Sequence, residues 1–229
     1  MLMKNNIVAL LPMKANSERV KGKNFKKFID KPLFKWILDT LLSVSLIDKV
    51  IINTDARFIL EENNLFENDR IIIRDRKLDL IGDFVSMNEI IKDDINNINS
   101  NLYLMTHTTN PFLSKTTINN SILTYNKLFK NNEIDSLFTV DKIQNRLYQF
   151  DGTPINHDPV NLIRTQDLIP WYQENSNLYL FSKNSFNSTK ARIGLKPFLY
   201  ETPKFESIDI DDENDWNFAE IVAQYLKNI

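Results

Sequence analysis

The sequence predicts an α/β protein built on a mostly parallel sheet covered on both faces. Three observations lead there. Short apolar runs alternate with stretches of helical period through about the first 140 residues. The first apolar run ends in a loop crowded with cations, and ends of parallel strands are where such folds place ligands. The 229 residues suffice for one large domain with a sizeable core.

Taken in order, Ile7 to Leu11 reads as a buried strand that breaks at Pro12. Leu33 to Val44 carries apolar residues at helical spacing behind Pro32, a residue tolerated at a helix start because its missing N–H would be unpaired there anyway. Lys49 to Asn53 is a second strand ending in Thr54-Asp55, and Arg57 to Glu62 suits a short helix. Arg70 to Ile73 is a third strand, followed by a charged loop, Arg74 to Asp83. Phe84 to Ile95 is helical, and Leu102 to Met105 is a fourth strand running into T-H-T-T-N-P. Thr116 to Phe129 is a helix and Ser136 to Val140 a fifth strand. The spacings suit right-handed βαβ crossovers.

From about Lys142 to Asp167 the rhythm changes. Tyr148 to Pro154 reads as a hairpin, an excursion from the main sheet. Leu178 to Phe181 returns as a strand, Glu206 to Ile210 reads as another, and Glu213 to Leu226 as a closing helix. With no linker or repeat, the chain is expected to be a single domain over residues 1–229, with the excursion at about 142–177.

Bulk composition excludes several classes. Net charge is −2, so nothing global argues for nucleic acid; the positive charge is local and suits a small anionic substrate. The absence of cysteine removes disulfides, thiolate metal sites and a cysteine nucleophile. No stretch approaches the roughly 18 apolar residues of a membrane span, and the N-terminus shows no signal-peptide cleavage pattern. The expectation is a soluble, cytoplasmic protein.

The loop after the first strand holds Lys14, Arg19, Lys21 and Lys23 with one glycine, Gly22. Loop amides with Lys and Arg side chains can hold polyphosphate oxygens, although a solvated basic loop would look the same. Neither the Walker A spacing nor G-x-G-x-x-G is present. Near the other end, S-I-D-I-D-D places Asp209 and Asp211 two apart, on one face if the segment is a strand. Two such carboxylates suit Mg²⁺ completed by substrate phosphate and water. The competing reading is an acidic helix start; it accounts for Asp212 and Glu213 better than for Asp209, which lies between Ile208 and Ile210. Asp55 would support a metal or cap the helix near Arg57. Arg74 would meet a base or phosphate, or pair with Asp75 or Asp79. His107, Thr108, Thr109 and Asn110 would read a nucleobase, or merely build a turn. The two histidines lack zinc spacing, and G-x-S-x-G is missing.

These pieces together resemble the acylneuraminate cytidylyltransferase family. Leu11-Pro12 to Lys23-Asn24 is similar to its signature P-A-R-x-x-S-x-x-x-x-x-K-N, with Ser17, Lys23 and Asn24 in place. Ile52 to Asp55 is similar to its S-T-D strand end, Arg74 to its arginine after the third strand, and Asp135-Ser136 to its D-S. Arg164 to Tyr179 resembles R-x-Q-x-x-P-x-x-x-x-x-N-G-x-x-Y, and Ile208 to Asp211 with Asp215 resembles I-D-I-D-x-x-x-D. The chain departs from the pattern at Lys14, where the family has arginine, and at Ala15-Asn16 in place of a glycine pair. It departs again at His107 to Pro111 in place of Q-P-T-S-P, and at Asn175-Ser176 in place of N-G.

The resemblance implies a three-layer α/β nucleotidyltransferase (Rossmann-like) fold whose protruding excursion pairs with a second subunit, making a homodimer. It implies CTP and a 2-keto-3-deoxy sugar acid as substrates, with Mg²⁺ on Asp209 and Asp211. Lys14, Lys23 and Asp211 would be catalytic, with a metal-bound hydroxide or Asp211 as the base. Lys14, Ser17, Lys23, Asn24, Arg74, His107 and Thr109 would bind nucleotide, and Arg164, Gln166 and Tyr179 the sugar. A Kdo-activating sister enzyme, a GT-A glycosyltransferase and a non-catalytic CTP-binding relative are the alternatives.

Overall fold

Period-two alternation of apolar side chains on both faces makes the central strands. In the computed structural model, which describes residues 6–227, strand β1 (Ile7–Leu10) sends Ile7 and Ala9 to one core and Val8 and Leu10 to the other. The reading of the extreme N-terminus falls on residues 1–5, outside the described residues. A two-stranded hairpin, β2 (Lys27–Phe28) and β3 (Lys31–Pro32), leads into helix α1 (Leu33–Ser43). Then come β4 (Lys49–Thr54), α2 (Arg57–Glu62), β5 (Ile71–Asp75), a single turn at Leu78–Leu80, α3 (Met87–Asn97) and β6 (Leu102–Met105). Helix α4 (Lys115–Lys130), β7 (Ser136–Ile143), β8 (Trp171–Phe181), α5 (Lys183–Thr189), β9 (Pro197–Glu201) and α6 (Glu213–Lys227) complete the order.

Seven strands form one sheet in the order β5-β4-β1-β6-β8-β7-β9. The pairs β1–β4, β1–β6, β4–β5 and β7–β9 are parallel, whereas β8 runs antiparallel to both neighbours. Helices α1 and α4 cover one face through Ile37, Leu41, Ile118 and Ile122; α3 and α5 cover the other through Ile91, Ile95 and Phe186. Burying both faces explains the near-continuous apolar runs of β1, β4 and β6. Helix α6 packs Trp216, Ala219 and Ala223 on Phe28 of the hairpin and on Leu33.

Several boundaries differ from expectation for local reasons. Helix α3 starts at Met87 rather than Phe84 because Ser86 caps it, accepting from the Asn88 amide at 3.3 Å. Strand β5 extends through Arg74 to Asp75, paired along β4. Glu206 to Ile210 is not a strand: Glu206 N–H turns back to the Pro203 carbonyl at 2.9 Å, and β9 takes the sheet edge instead. Strand β8 begins at Trp171, so β7 and β8 continue as a ribbon, Val140 opposite Glu174 out to Ile143 opposite Trp171. This narrows the excursion to 144–170. The predicted hairpin is present there, with Tyr148 bridged to Pro154.

Asp135-Ser136 is a brace. The Asp135 carboxylate accepts from the Leu195 and Lys196 amides at 2.8 and 3.0 Å, and Ser136 Oγ from the Gly194 amide at 2.8 Å. A Cβ on Gly194 would stand 2.3 Å from Asp135 Oδ1 and from Ser185 Oγ, so only glycine fits.

Candidate functional site

The loop after β1 continues the pairing with β4: Leu11 N–H donates to Ile51 O at 2.8 Å and Met13 N–H to Asn53 O at 3.1 Å. Asp55 does not cap α2 and is not on the cleft wall that carries the twin aspartates; its carboxylate accepts the Ala15 amide at 2.7 Å and ties the loop to the end of β4. Gly22, at φ +63°, makes the turn that brings Lys23 inward. Asn24 is a strap, its amide donating to Lys14 O at 2.8 Å while its carbonyl accepts from Thr108 Oγ1 at 2.6 Å. Beside β6, the Ile210 amide donates to Thr109 O at 2.9 Å, which seats the Asp209–Asp211 segment against the end of that strand.

The two ends of the chain therefore meet. Lys23, only 7% exposed, donates to Ile210 O at 2.6 Å and lies 3.5 Å from Asp211. Burial draws its pKa down, and Asp211 and Asp209 pull it back up. Arg19 also pairs with Asp211, at 2.9 Å. Lys14 pairs with Asp83 at 2.5 Å across the mouth. Between these groups lies a cleft of about 480 Å³, walled by Lys14, Ser17, Lys23, Asn24, His107, Thr109, Asp209 and Asp211 among others.

Asp209 and Asp211 share this wall although their segment is not a strand. Burial raises the Asp209 pKa, against a hydrogen bond from Thr109 and the attraction of Lys23. Its Oδ1 is buried without a hydrogen-bond partner. An orphaned carboxylate oxygen beside a second carboxylate fits a divalent cation that takes its other ligands from phosphate and water. Among the described residues no group of three or more His, Asp or Glu could enclose a metal by itself. Asp212 does serve as the helix cap, accepting the Asn214 and Asp215 amides at 2.8 and 3.0 Å.

Arg74 is not on the cleft wall; Arg76 is. Within β5, Arg74 shares a face with Ile72 and points at α3, where Asp93 holds it at 2.8 Å and Asp94 holds it more closely still. Arg76 leaves the strand end and is fixed by Asn53 Oδ1, Asn53 O and Met13 O at 3.0, 2.8 and 3.1 Å. What separates the two is where the strand stops: β5 ends at Asp75, so Arg74 is still held by the sheet's pleat while Arg76 is already free of it.

His107 lines the cleft half-buried, its pKa held down to about 3 by burial and then by the Arg192 guanidinium. It is neutral at working pH. Tyr179 is fully buried; its hydroxyl donates to Glu174 and contacts Ser176 Oγ at 3.2 Å, and Ser176 is on the cleft wall. Arg164 and Gln166 are brought to neither wall. They lie on the exposed excursion, Arg164 paired with Asp167 at 2.7 Å and the Gln166 carbonyl accepting from Gln144 at 3.0 Å. Arg76, Asp83 and Arg192 carry no motif of their own, and sequence reading passed over them. Among the described residues no helix is long and apolar enough to cross a membrane.

Comparison with known proteins adds to this geometry. The sequence pattern of the family described as "Cytidylyltransferase" matches residues 8–216. The N-acylneuraminate cytidylyltransferase of Escherichia coli O18:K1:H7 is 25% identical over 99% of this chain, which spans about half (54%) of that relative's length. The pseudaminic acid cytidylyltransferase of Campylobacter jejuni serotype O:2 is 23% identical, with 96% of each chain covered. In fold, the chain is similar to a CMP:2-keto-3-deoxy-manno-octonic acid synthetase solved with CTP, at a TM-score of 0.66 and 11% identity over 96% of this chain and 99% of that one. It is similar too to the 4-diphosphocytidyl-2C-methyl-D-erythritol synthase of Anaerococcus prevotii, at 0.65 and 15% over 96% and 97%. With a match that spans nearly its whole length, on a three-layer α/β frame, the chain belongs to the cytidylyltransferase family.

Proposed function

We propose that this protein transfers CMP from CTP to the anomeric hydroxyl of a 2-keto-3-deoxy sugar acid of the sialic or related nonulosonate type, releasing pyrophosphate. The observation that carries the reading is the buried Lys23 clasped by Ile210 O and Asp211 in a family member. A cation held there meets a triphosphate across from two carboxylates. The named relatives act on N-acylneuraminate and pseudaminic acid, which supports an acidic nine-carbon acceptor. The Kdo-type alternative draws on likeness at 11% identity, which bears on the fold alone.

In this reading the acceptor hydroxyl oxygen bonds to the α-phosphorus, the bond to the β-phosphate oxygen breaks, and the hydroxyl proton passes to Asp211. Such transfers depend chiefly on positioning and charge neutralisation. Lys14 exchanges its exposed partner Asp83 for phosphate oxygens, and Lys23 stabilises the departing pyrophosphate. Ser17 and loop amides add hydrogen bonds. Asn24, with both ends of its amide engaged, acts by shaping the loop. Thr109 and neutral His107 face the substrates, and Arg76 takes the place on the nucleotide side first expected for Arg74. Mg²⁺ held by Asp209 and Asp211 would neutralise and template the phosphates. The protein acts in the cytoplasm as a homodimer, with Arg164 and Gln166 on the excursion offered to the neighbouring subunit's cleft.

The test is pyrophosphate release with CTP and a panel of keto sugar acids, with and without Mg²⁺. Asp211→Ala is expected to lower turnover by about a hundredfold or more with the circular dichroism spectrum unchanged. Full activity in that variant would remove Asp211 from the mechanism.

A further inference from the structure

Charged groups around the cleft are mostly matched at close range. Arg76 has three acceptors within 3.1 Å, Arg19 has Asp211 at 2.9 Å, and Lys14 has Asp83 at 2.5 Å. Arg192 differs. It sits in the loop between α5 and β9, and its backbone N–H reaches Asn88 Oδ1 of α3 at 3.3 Å. Its guanidinium carbon lies 3.9 Å from the centroid of the Tyr179 ring, and the side chain is only 19% exposed.

The polar contacts of that guanidinium within the chain are long. They are His107 Nε2 at 3.3 Å, Glu174 Oε1 at 3.4 Å and Met105 Sδ at 3.8 Å. The same Glu174 oxygen already accepts the Tyr179 hydroxyl. A charge-assisted contact normally closes to about 2.7–2.9 Å, and a guanidinium offers five N–H donors. Arg192 has given up most of its hydration for partners that do not replace it, the condition of a cation waiting for an anion.

Its place in the sheet says which anion. The strand order β5-β4-β1-β6-β8 sets Arg76 and the cationic loop on one flank of the cleft. His107, after β6, and Ser176, in β8, form the other flank; Arg192 is not itself on the wall but touches His107 and, through Tyr179, adjoins Ser176. With the triphosphate on the first flank, the second is left to the acceptor. We infer that Arg192 is a specificity-determining residue that binds the carboxylate of the sugar acid. The inference rests on the reading of the chain as a CMP transferase to an anionic acceptor. The planar fork matches a carboxylate in two parallel hydrogen bonds, which an ammonium does not. Neutral His107 adds no competing cation, and stacking on Tyr179 fixes the fork before substrate arrives. Arg164, the arginine that the motif suggests for this task, is three-quarters exposed and engaged with Asp167.

The experiment compares wild type, Arg192→Met and Arg192→Lys with CTP and three probes: N-acetylneuraminate, pseudaminate and Kdo. For whichever acid is used, its methyl ester is measured alongside. Arg192→Met should raise the KM for the acid by about tenfold or more while the KM for CTP stays within about twofold. The wild-type preference for the acid over its ester should collapse by a similar factor, a change that a merely structural role would not produce. Arg192→Lys should fall between, and it carries the test if the methionine variant does not fold. An unchanged KM and an unchanged acid-to-ester ratio in the folded variants would overturn the inference alone. Wild-type protein that transfers CMP to none of the three acids would overturn the functional reading, and this inference with it.

Discussion

Single side chains in this cleft are tuned by what surrounds them, and His107 shows it in a measurable way. Its folded pKa, about 3, lies below its ordinary 6.5. Between those values the unfolded chain binds a proton that the folded chain refuses, so stability is full above pH 6.5 and drains as the pH falls toward 3. The loss from this residue should reach about 1.4 kcal/mol by pH 5.5. His107→Gln should flatten the fall in chemical-denaturation midpoint between pH 7.5 and 5.5; an unaltered slope would contradict the assignment. Asp94 acts in the opposite direction. Burial pushes it up to about 6, so its contribution favours the folded state as pH falls from 6 toward 3.8. At this scale the sequence was legible where a residue's neighbours in space are also its neighbours in sequence. Asp212 and Glu213 at a helix start were readable for that reason. Arg74 and Arg76 were not, because the choice depends on where β5 ends and on Asp93 and Asp94 of another element, which hold Arg74.

Whole elements were legible where an apolar run had turn chemistry at both ends. Helix α2 and strand β6 begin and end where the pattern placed them. Strand β9 was passed over because its apolar run, Phe198 to Tyr200, is only three residues long and lies at the sheet edge, where positions alternate between half-buried and exposed. The antiparallel course of β8 was equally hidden, since side-chain alternation carries no direction. Between Phe138 and Val140 the β7–β8 register slips, and Ser176 stands opposite with φ +56°. The resemblance puts glycine at that position, and a side chain there costs about 1 kcal/mol or more. Ser176→Gly forfeits the 3.2 Å contact with Tyr179 yet should raise the melting temperature by about 2–4 °C. A lower melting temperature would mean that the hydroxyl contact outweighs the backbone conformation.

Across the whole molecule, the three-layer frame was readable from the βαβ rhythm, while the meeting of loop and acidic segment followed from resemblance and from the rule that ligands gather at strand ends. The sheet order then supplied what neither could, a cleft with Arg76 and the cationic loop on one flank and His107 and Ser176 on the other. The ribbon of β7 and β8 and the excursion expose Phe150, Val160, Ile169, Trp171 and Tyr172. Apolar surface of this kind on one arm suits a second copy of the chain. Sedimentation at micromolar concentration should give twice the 26.9 kDa of one chain; a monomer with full activity would retire the proposed contribution of Arg164 and Gln166 to a neighbour.

The hydrogen bond from Lys23 to Ile210 joins positions 187 residues apart. During synthesis the early loop emerges long before its counterpart, and until that counterpart leaves the ribosome Lys23 has nothing to close upon. The strands β1, β4 and β6 precede residues 209–211 in the sequence, so the first-formed part of the sheet lacks one wall of the cleft. The cleft closes only when Asp209 to Asp211 dock beside β6, which joins two stretches that the sequence keeps far apart.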